Sequence, residues 1–282
     1  IRDRSIAENS GSTITLTATL SGTTDEDITV ALDTSGTSTE GTDYSDDGGT
    51  SNLDDITISA GATTGTVTFD PTNDSVYEGN ETAIIAINGV SGKTGVAENS
   101  TPQEVTITIT DDESAPTVTL SVSANTIAEN AGTSITITAT LSGVVDETVT
   151  VGLSTSGTGT EGTDYTDGSG NIDDISISAG STSSTVTFTP TNDTTYEGNE
   201  TAIIAISSVS GGNATEDGTQ SETITITDDE SAPTVTLAVS DTTIAENAGS
   251  SLTLTATLSG TTDADITVAL DTSGTATEGT DY

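Results

Sequence analysis

The sequence predicts an all-β protein built from tandem β-sandwich domains stacked head to tail. Three observations predict it. Apolar and polar residues alternate, as in SITITATL at Ser134–Leu141 and STVTF at Ser184–Phe188, which is the period of a strand with one buried face. The same motifs return at domain-sized intervals. No stretch carries a convincing helical period of apolar residues.

The repeats set the organisation. IAEN stands at Ile6–Asn9, Ile127–Asn130 and Ile244–Asn247, at spacings of 121 and 117 residues. TEGTDY stands at Thr39–Tyr44, Thr160–Tyr165 and Thr277–Tyr282, and YEGNETAIIAI at Tyr77–Ile87 and Tyr196–Ile206. Ile6–Tyr44 and Ile244–Tyr282 differ at five of 39 positions. A unit of that length is a domain, not a solenoid turn. The expected units are 1–113, 114–230 and 231–282. The first lacks most of its opening strand, and the third holds only its first strands. Half a sandwich leaves its faces bare, so the sequence reads as a window on a longer array, or as one whose end units a neighbouring chain completes.

The second unit shows the elements in order. Strands are expected near Thr117–Ser123, Ser134–Leu141, Glu147–Ser154, Ile172–Ser178, Ser184–Thr189, Thr201–Ser207 and Glu222–Thr227. Gly, Asp, Asn and Pro clusters separate them. Seven short strands in a unit of this size predict an Ig-like sandwich. Val, Ile, Leu, Ala and Phe188 face inward. Thr and Ser face out, where a β-branched hydroxyl suits a solvated strand. With 2% aromatics, each core buries modest area and each unit is modestly stable alone.

Charge narrows the partners. The 282 residues carry 45 acids against Arg2, Arg4 and Lys93, a formal net charge of −42. Such a surface repels nucleic acid and anionic membranes and attracts cations. Acidic chains poor in aromatics are often disordered, but a sustained period of two has no place in a disordered tract. Cys and His are absent. Disulfides are therefore excluded, and the usual catalytic bases and thiol nucleophiles are missing. Paired carboxylates hydrolyse glycosides in other proteins, yet the aromatics expected along a sugar cleft are not here. The chain reads as a non-enzyme. N-x-S/T sequons at Asn73, Asn80, Asn99, Asn192, Asn199 and Asn213 are the chance yield of a Thr-rich sequence.

The acids recur in four motifs. In the second unit they are Glu129 in IAEN, Asp164 in EGTDY, Asp193, Glu197 and Glu200 in NDTTYEGNE, and Asp228-Asp229-Glu230 after the last strand. The loops between strands one and two, three and four, and five and six share one end of a sandwich. The last strand also finishes there. All four motifs thus converge on one tip. Two carboxylates ~4 Å apart repel by about 1 kcal/mol in water and about 4 kcal/mol at an effective dielectric of 20. A hard cation removes that cost. Calcium accepts six to eight oxygens in flexible geometry, magnesium prefers fewer carboxylates and more water, and zinc prefers the absent His or Cys. Calcium fits this donor set. The bland alternative is a solvated acidic tip, since Asp and Asn are common in turns. The EF-hand loop and the Gly-rich nonapeptide repeat are both absent.

The Glu before the second strand, the GT-D-Y turn, the D-x-x-Y-E-x-x-E run and the acidic triplet together resemble the Calx-β family. It is a β-sandwich module of sodium–calcium exchangers and very large bacterial surface proteins. The resemblance covers nearly the whole chain and implies calcium bound at the tip. It implies ligands Glu129, Asp164, Asp193, Glu197, Glu200, Asp228, Asp229 and Glu230 in the second unit. In the first unit it implies Glu8, Asp43, Asp74, Glu78, Glu81, Asp111, Asp112 and Glu113. The third unit keeps Glu246 and Asp281. Two departures lower the expected ion number or affinity. The triplet ends in Glu where Asp is frequent, and Asn73 and Asn192 stand where a further acid can occur.

The expected function is structural: a calcium-rigidified segment of a long extracellular bacterial adhesin stalk or surface filament. Its partners are calcium and neighbouring repeats, of the same chain or of identical chains. Pro116 and Pro233 each sit just after an acidic triplet and stiffen the linker. The competing reading is a calcium-sensing regulatory module, which needs a coupled effector domain.

Overall fold

A computed structural model describes residues 4–46, 52–99, 101 and 103–282. Among these the chain is all-β, with two three-residue 3-10 turns and no α-helix.

The first repeat contains β1 (Arg4–Ala7), β2 (Ile14–Thr19), β3 (Ile28–Gly36), β4 (Tyr44–Ser45), β5 (Ile56–Ile58), β6 (Thr64–Pro71), β7 (Val76–Tyr77), β8 (Glu81–Ser91) and β9 (Glu104–Thr110). The second contains β10 (Thr117–Val122), β11 (Thr126–Ala128), β12 (Ile135–Leu141), β13 (Val144–Val145), β14 (Val149–Gly157), β15 (Tyr165–Thr166), β16 (Ile175–Ile177), β17 (Ser183–Pro190), β18 (Thr195–Tyr196), β19 (Glu200–Ser210), β20 (Thr215–Glu216) and β21 (Ser221–Thr227). The third contributes β22 (Val235–Val239), β23 (Leu254–Leu258) and β24 (Thr261–Thr262).

In the second repeat two five-stranded sheets face each other, in the orders β15-β17-β12-β10-β20 and β11-β21-β19-β14-β16. The seven expected strands are all present. The alternation becomes the core. Ile135, Ile137, Ala139 and Leu141 of β12 are buried, facing Val149 and Val151 of β14, Ala202 and Ile204 of β19, and Ile224 and Ile226 of β21. The intervening Thr residues are more exposed, as a one-sided sheet face requires.

One strand lay below the reach of the alternation. Thr126–Ala128 crosses to the other sheet and pairs in parallel with β21, Ile127 opposite Ile226. The first repeat does the same, with β1 parallel to β9. Three residues are too few to show a period, and this short strand carries the IAEN motif to the end of the last strand.

In the third repeat β22 pairs only with β23. Its apolar residues stay open, with Leu237 57% and Leu254 56% exposed. The segment after β24 is not a strand, because the strands that sandwich it in the second repeat have no counterpart beside it.

Consecutive repeats are joined by strand pairs as well as by the linker. β13 runs parallel to β7, with Val144 opposite Val76 and Val145 opposite Tyr77. β24 runs parallel to β18, with Thr261 opposite Thr195 and Thr262 opposite Tyr196. Tyr77 packs against the core of the second repeat, and its hydroxyl accepts from Asn213 Nδ2 at 3.5 Å.

Candidate metal centre

Each acidic motif is held by its own local structure. After β11 the chain turns through a 3-10 turn, Glu129–Ala131, which leaves Glu129 only 6% exposed. In the EGTDY turn, Thr160 N donates to Asp164 Oδ2 at 2.5 Å and Asp164 N donates to Thr160 O at 2.9 Å. Gly162 takes φ 83° there, a left-handed conformation that glycine adopts without strain. Tyr165 anchors the turn by stacking on Phe188 with centroids 4.7 Å apart; Tyr44 and Phe69 do so at 4.6 Å in the first repeat. Glu161 is structural, accepting from Ile172 N at 2.5 Å and Thr155 Oγ1 at 2.8 Å.

Asp228 ties the motifs together. Its Oδ2 accepts from Glu197 N at 2.7 Å and Gly198 N at 2.5 Å, and its Oδ1 accepts from Glu230 N at 2.8 Å. Burial works to raise this carboxyl, but the amides of Gly198, Glu230 and Glu197 outweigh it and hold the group below its ordinary value. Asp111 repeats the arrangement with Glu78, Gly79 and Glu113. Asp193 N donates to Glu129 Oε1 at 2.7 Å, and Asn130 Nδ2 donates to Asp229 Oδ2 at 2.7 Å.

The carboxylates gather in two sets per tip. Glu129, Asp229 and Glu230 form one, and Asp164, Glu197 and Glu200 the other; in each, one oxygen per residue lies within 4.8 Å of the others. The first repeat has Glu8, Asp112 and Glu113, and Asp43, Glu78 and Glu81, on the same criterion. Asp74, Asp193, Asp111 and Asp228 fall outside these sets and bind backbone or border them. Glu246 is exposed and belongs to no set. Asp281 accepts from Thr277 N at 2.7 Å, keeping its turn, and also stands outside.

The electrostatics are those of crowded, partly buried carboxylates. Burial pushes the Glu8 carboxyl up to about 7, with Asp111, Glu113 and Asp74 adding to it and the Asp74 amide opposing. Burial and then neighbouring acids, Asp43 first, push Glu78 to about 7 and Glu81 to about 8. Burial, then Asp164 and Glu197, push Glu200 to about 7. Glu129, Glu197, Glu113 and Glu230 shift upward too, burial again leading. Glu8 Oε1, Glu113 Oε2 and Glu230 Oε2 are buried without a hydrogen-bond partner. Buried carboxylate oxygens are normally satisfied. All donors are oxygens, which is the donor set of a hard divalent ion. Lys93 is already paired with Asp25 and Glu26.

The class of protein is an array of β-sandwiches with paired all-oxygen acidic sets at their tips. The Calx-beta domain family model matches residues 2–113, 111–230 and 228–282. The chain belongs to the Calx-beta family, as three tandem domains whose family binds calcium and is typically non-catalytic. No curated protein matches it. Among solved structures it is similar to CBD12 from CALX1.2, at 15% identity over 80% of this chain and 96% of that one, TM-score 0.34. It is similar to the apo-form Calx CBD1 domain at 22% identity over 40% and 98%, TM-score 0.34. It is also similar to the Yersinia pseudotuberculosis adhesin InvE at 17% identity over 79% and 56%, TM-score 0.29. No helix among the described residues is long and apolar enough to cross a membrane.

Proposed function

We propose that this chain is a calcium-rigidified structural segment of a long extracellular bacterial adhesin stalk or surface filament. Units 1–113, 114–230 and 231–282 serve as successive spacers. In each complete tip, the two carboxylate sets hold calcium. The proposed ligands are Glu129, Asp164, Glu197, Glu200, Asp229 and Glu230 in the second repeat, and Glu8, Asp43, Glu78, Glu81, Asp112 and Glu113 in the first. Asp228 and Asp111 orient them, and Asp193 and Asp74 border the site. Glu246 and Asp281 are the corresponding acids of the third repeat.

One observation carries the reading. At both junctions, the strand that pairs with the following repeat, β7 or β18, directly precedes a ligand glutamate, Glu78 or Glu197. Ordering the tip therefore orders the joint. Near-identical copies suit a spacer, where length matters more than any one unit.

Electron microscopy of the whole chain, with calcium and then with chelator, tests the reading. Straight particles of narrow length distribution that turn slack on chelation are expected. Particles of the same shape in both conditions contradict it.

A further inference from the structure

The junction brings a carboxylate that belongs to neither set. β13 and β7 run in parallel, and their last paired residues are Val145 and Tyr77. The next residue after one strand is Asp146, and after the other Glu78. Neighbouring strands lie about 4.8 Å apart, so Asp146 of the second repeat arrives at the edge of the first repeat's tip. The second junction is built alike. Thr262 pairs with Tyr196, and Asp263 follows opposite Glu197.

Among the described residues no basic side chain pairs with Asp146. Its counterpart in the first repeat is Asp25, which Lys93 holds. Lys93 corresponds in sequence to Gly212 in the second repeat. A Cβ at Gly212 would lie 3.1 Å from the Val145 side chain and at φ 52°, so the position disfavours a lysine. Independently of Asp146, the preceding tip holds an unsatisfied buried acceptor in its other set: Glu8, 8% exposed, has its Oε1 buried and unpartnered beside Asp112 and Glu113.

We propose that calcium at the Asp43–Glu78–Glu81 set is shared between repeats, with Asp146 of the following repeat as its further carboxylate ligand. Asp263 serves the Asp164–Glu197–Glu200 set in the same way. The inference rests on the calcium reading above and adds that the ion is a staple across the joint. It agrees with the charges: Asp43 and Asp111 help raise the Asp146 carboxyl, after burial and Glu147, and Asp146 acts in turn on Glu78 and Glu81.

The chain has no cysteine, so spin labels at Thr57→Cys and Ser176→Cys, both exposed strand positions, report the geometry of the first two repeats. In the otherwise unsubstituted chain, added CaCl2 is expected to narrow the distance distribution. With Asp146→Asn the distribution stays broad in calcium. Calorimetric titration then shows one class of sites weakened by about tenfold or more, while calcium still raises the melting temperature through the remaining ligands. Asp25→Asn, the matched charge change away from the joint, behaves as the parent. Asp146→Asn narrowing and binding like the parent would overturn the shared ligand alone. So would Asp25→Asn broadening the distribution as much. A parent chain that binds no calcium would overturn this inference together with the calcium reading.

Discussion

Acids of one type do two jobs at these tips, and substitutions separate them. Asp228 accepts three backbone amides, whereas Asp229 joins Glu129 and Glu230 in an oxygen set. Asp228→Ala strands those amides and is expected to destabilise the second repeat by about 1–3 kcal/mol even in chelator. Asp229→Asn should leave the chelated protein unchanged or slightly more stable, because it removes a repelling charge, and should lose much of the calcium-dependent gain. Melting curves of both variants with and without CaCl2 check this. The four motifs were legible because each repeats and each carries an acid. The division of labour among them was not. Asp228 and Asp229 are adjacent and identical in type, and only the amides of Glu197, Gly198 and Glu230 tell them apart. Asn130 of IAEN holds Asp229, a role that nothing in its sequence neighbours indicates. Asp146 and Asp263 were missed because their strand neighbours lie in another repeat.

At the scale of elements, the core supports the site through the EGTDY turn. Tyr165 and Phe188 are both fully buried and stacked, so the turn that presents Asp164 rests on the strand β17. Phe188→Ala is expected to cost about 3–5 kcal/mol and to weaken calcium binding in the second repeat more than in the first, as site-resolved titration would show. Most of the seven main strands were readable because they alternate for five or more residues beside turn residues; β16 was readable from the shorter ISIS at Ile175–Ser178 and β19 from its apolar run AIIAI at Ala202–Ile206. β11, β15, β18 and β20 span two or three residues, too short for any period, and owe their existence to partners distant in sequence. The short parallel pairs at the joints belong to the same class. The third repeat shows the converse. Its sequence nearly duplicates the first, yet only β22 and β23 pair fully, since a strand needs a partner and not only a pattern.

For the whole molecule, net charge makes stability depend on ions and on pH. Glu8, Glu78 and Glu200 are raised to about 7 and Glu81 to about 8, from an ordinary 4.5. Between 4.5 and those values the folded chain holds protons that the unfolded chain has released. Stability without calcium therefore falls as pH rises through that window. The melting temperature in chelator should be higher at pH 5.5 than at pH 8. Saturating calcium should reverse the order, because its carboxylate ligands must be deprotonated. The most direct test of the central claim, that calcium neutralises and stiffens the tips, is calorimetry of the whole chain at pH 7.5 and constant ionic strength. Calcium at about 100 times its dissociation constant should stabilise by roughly 2.7 kcal/mol per site, with magnesium giving much less. Equal melting temperatures in calcium and chelator, or the same rise with sodium chloride alone, would contradict the account.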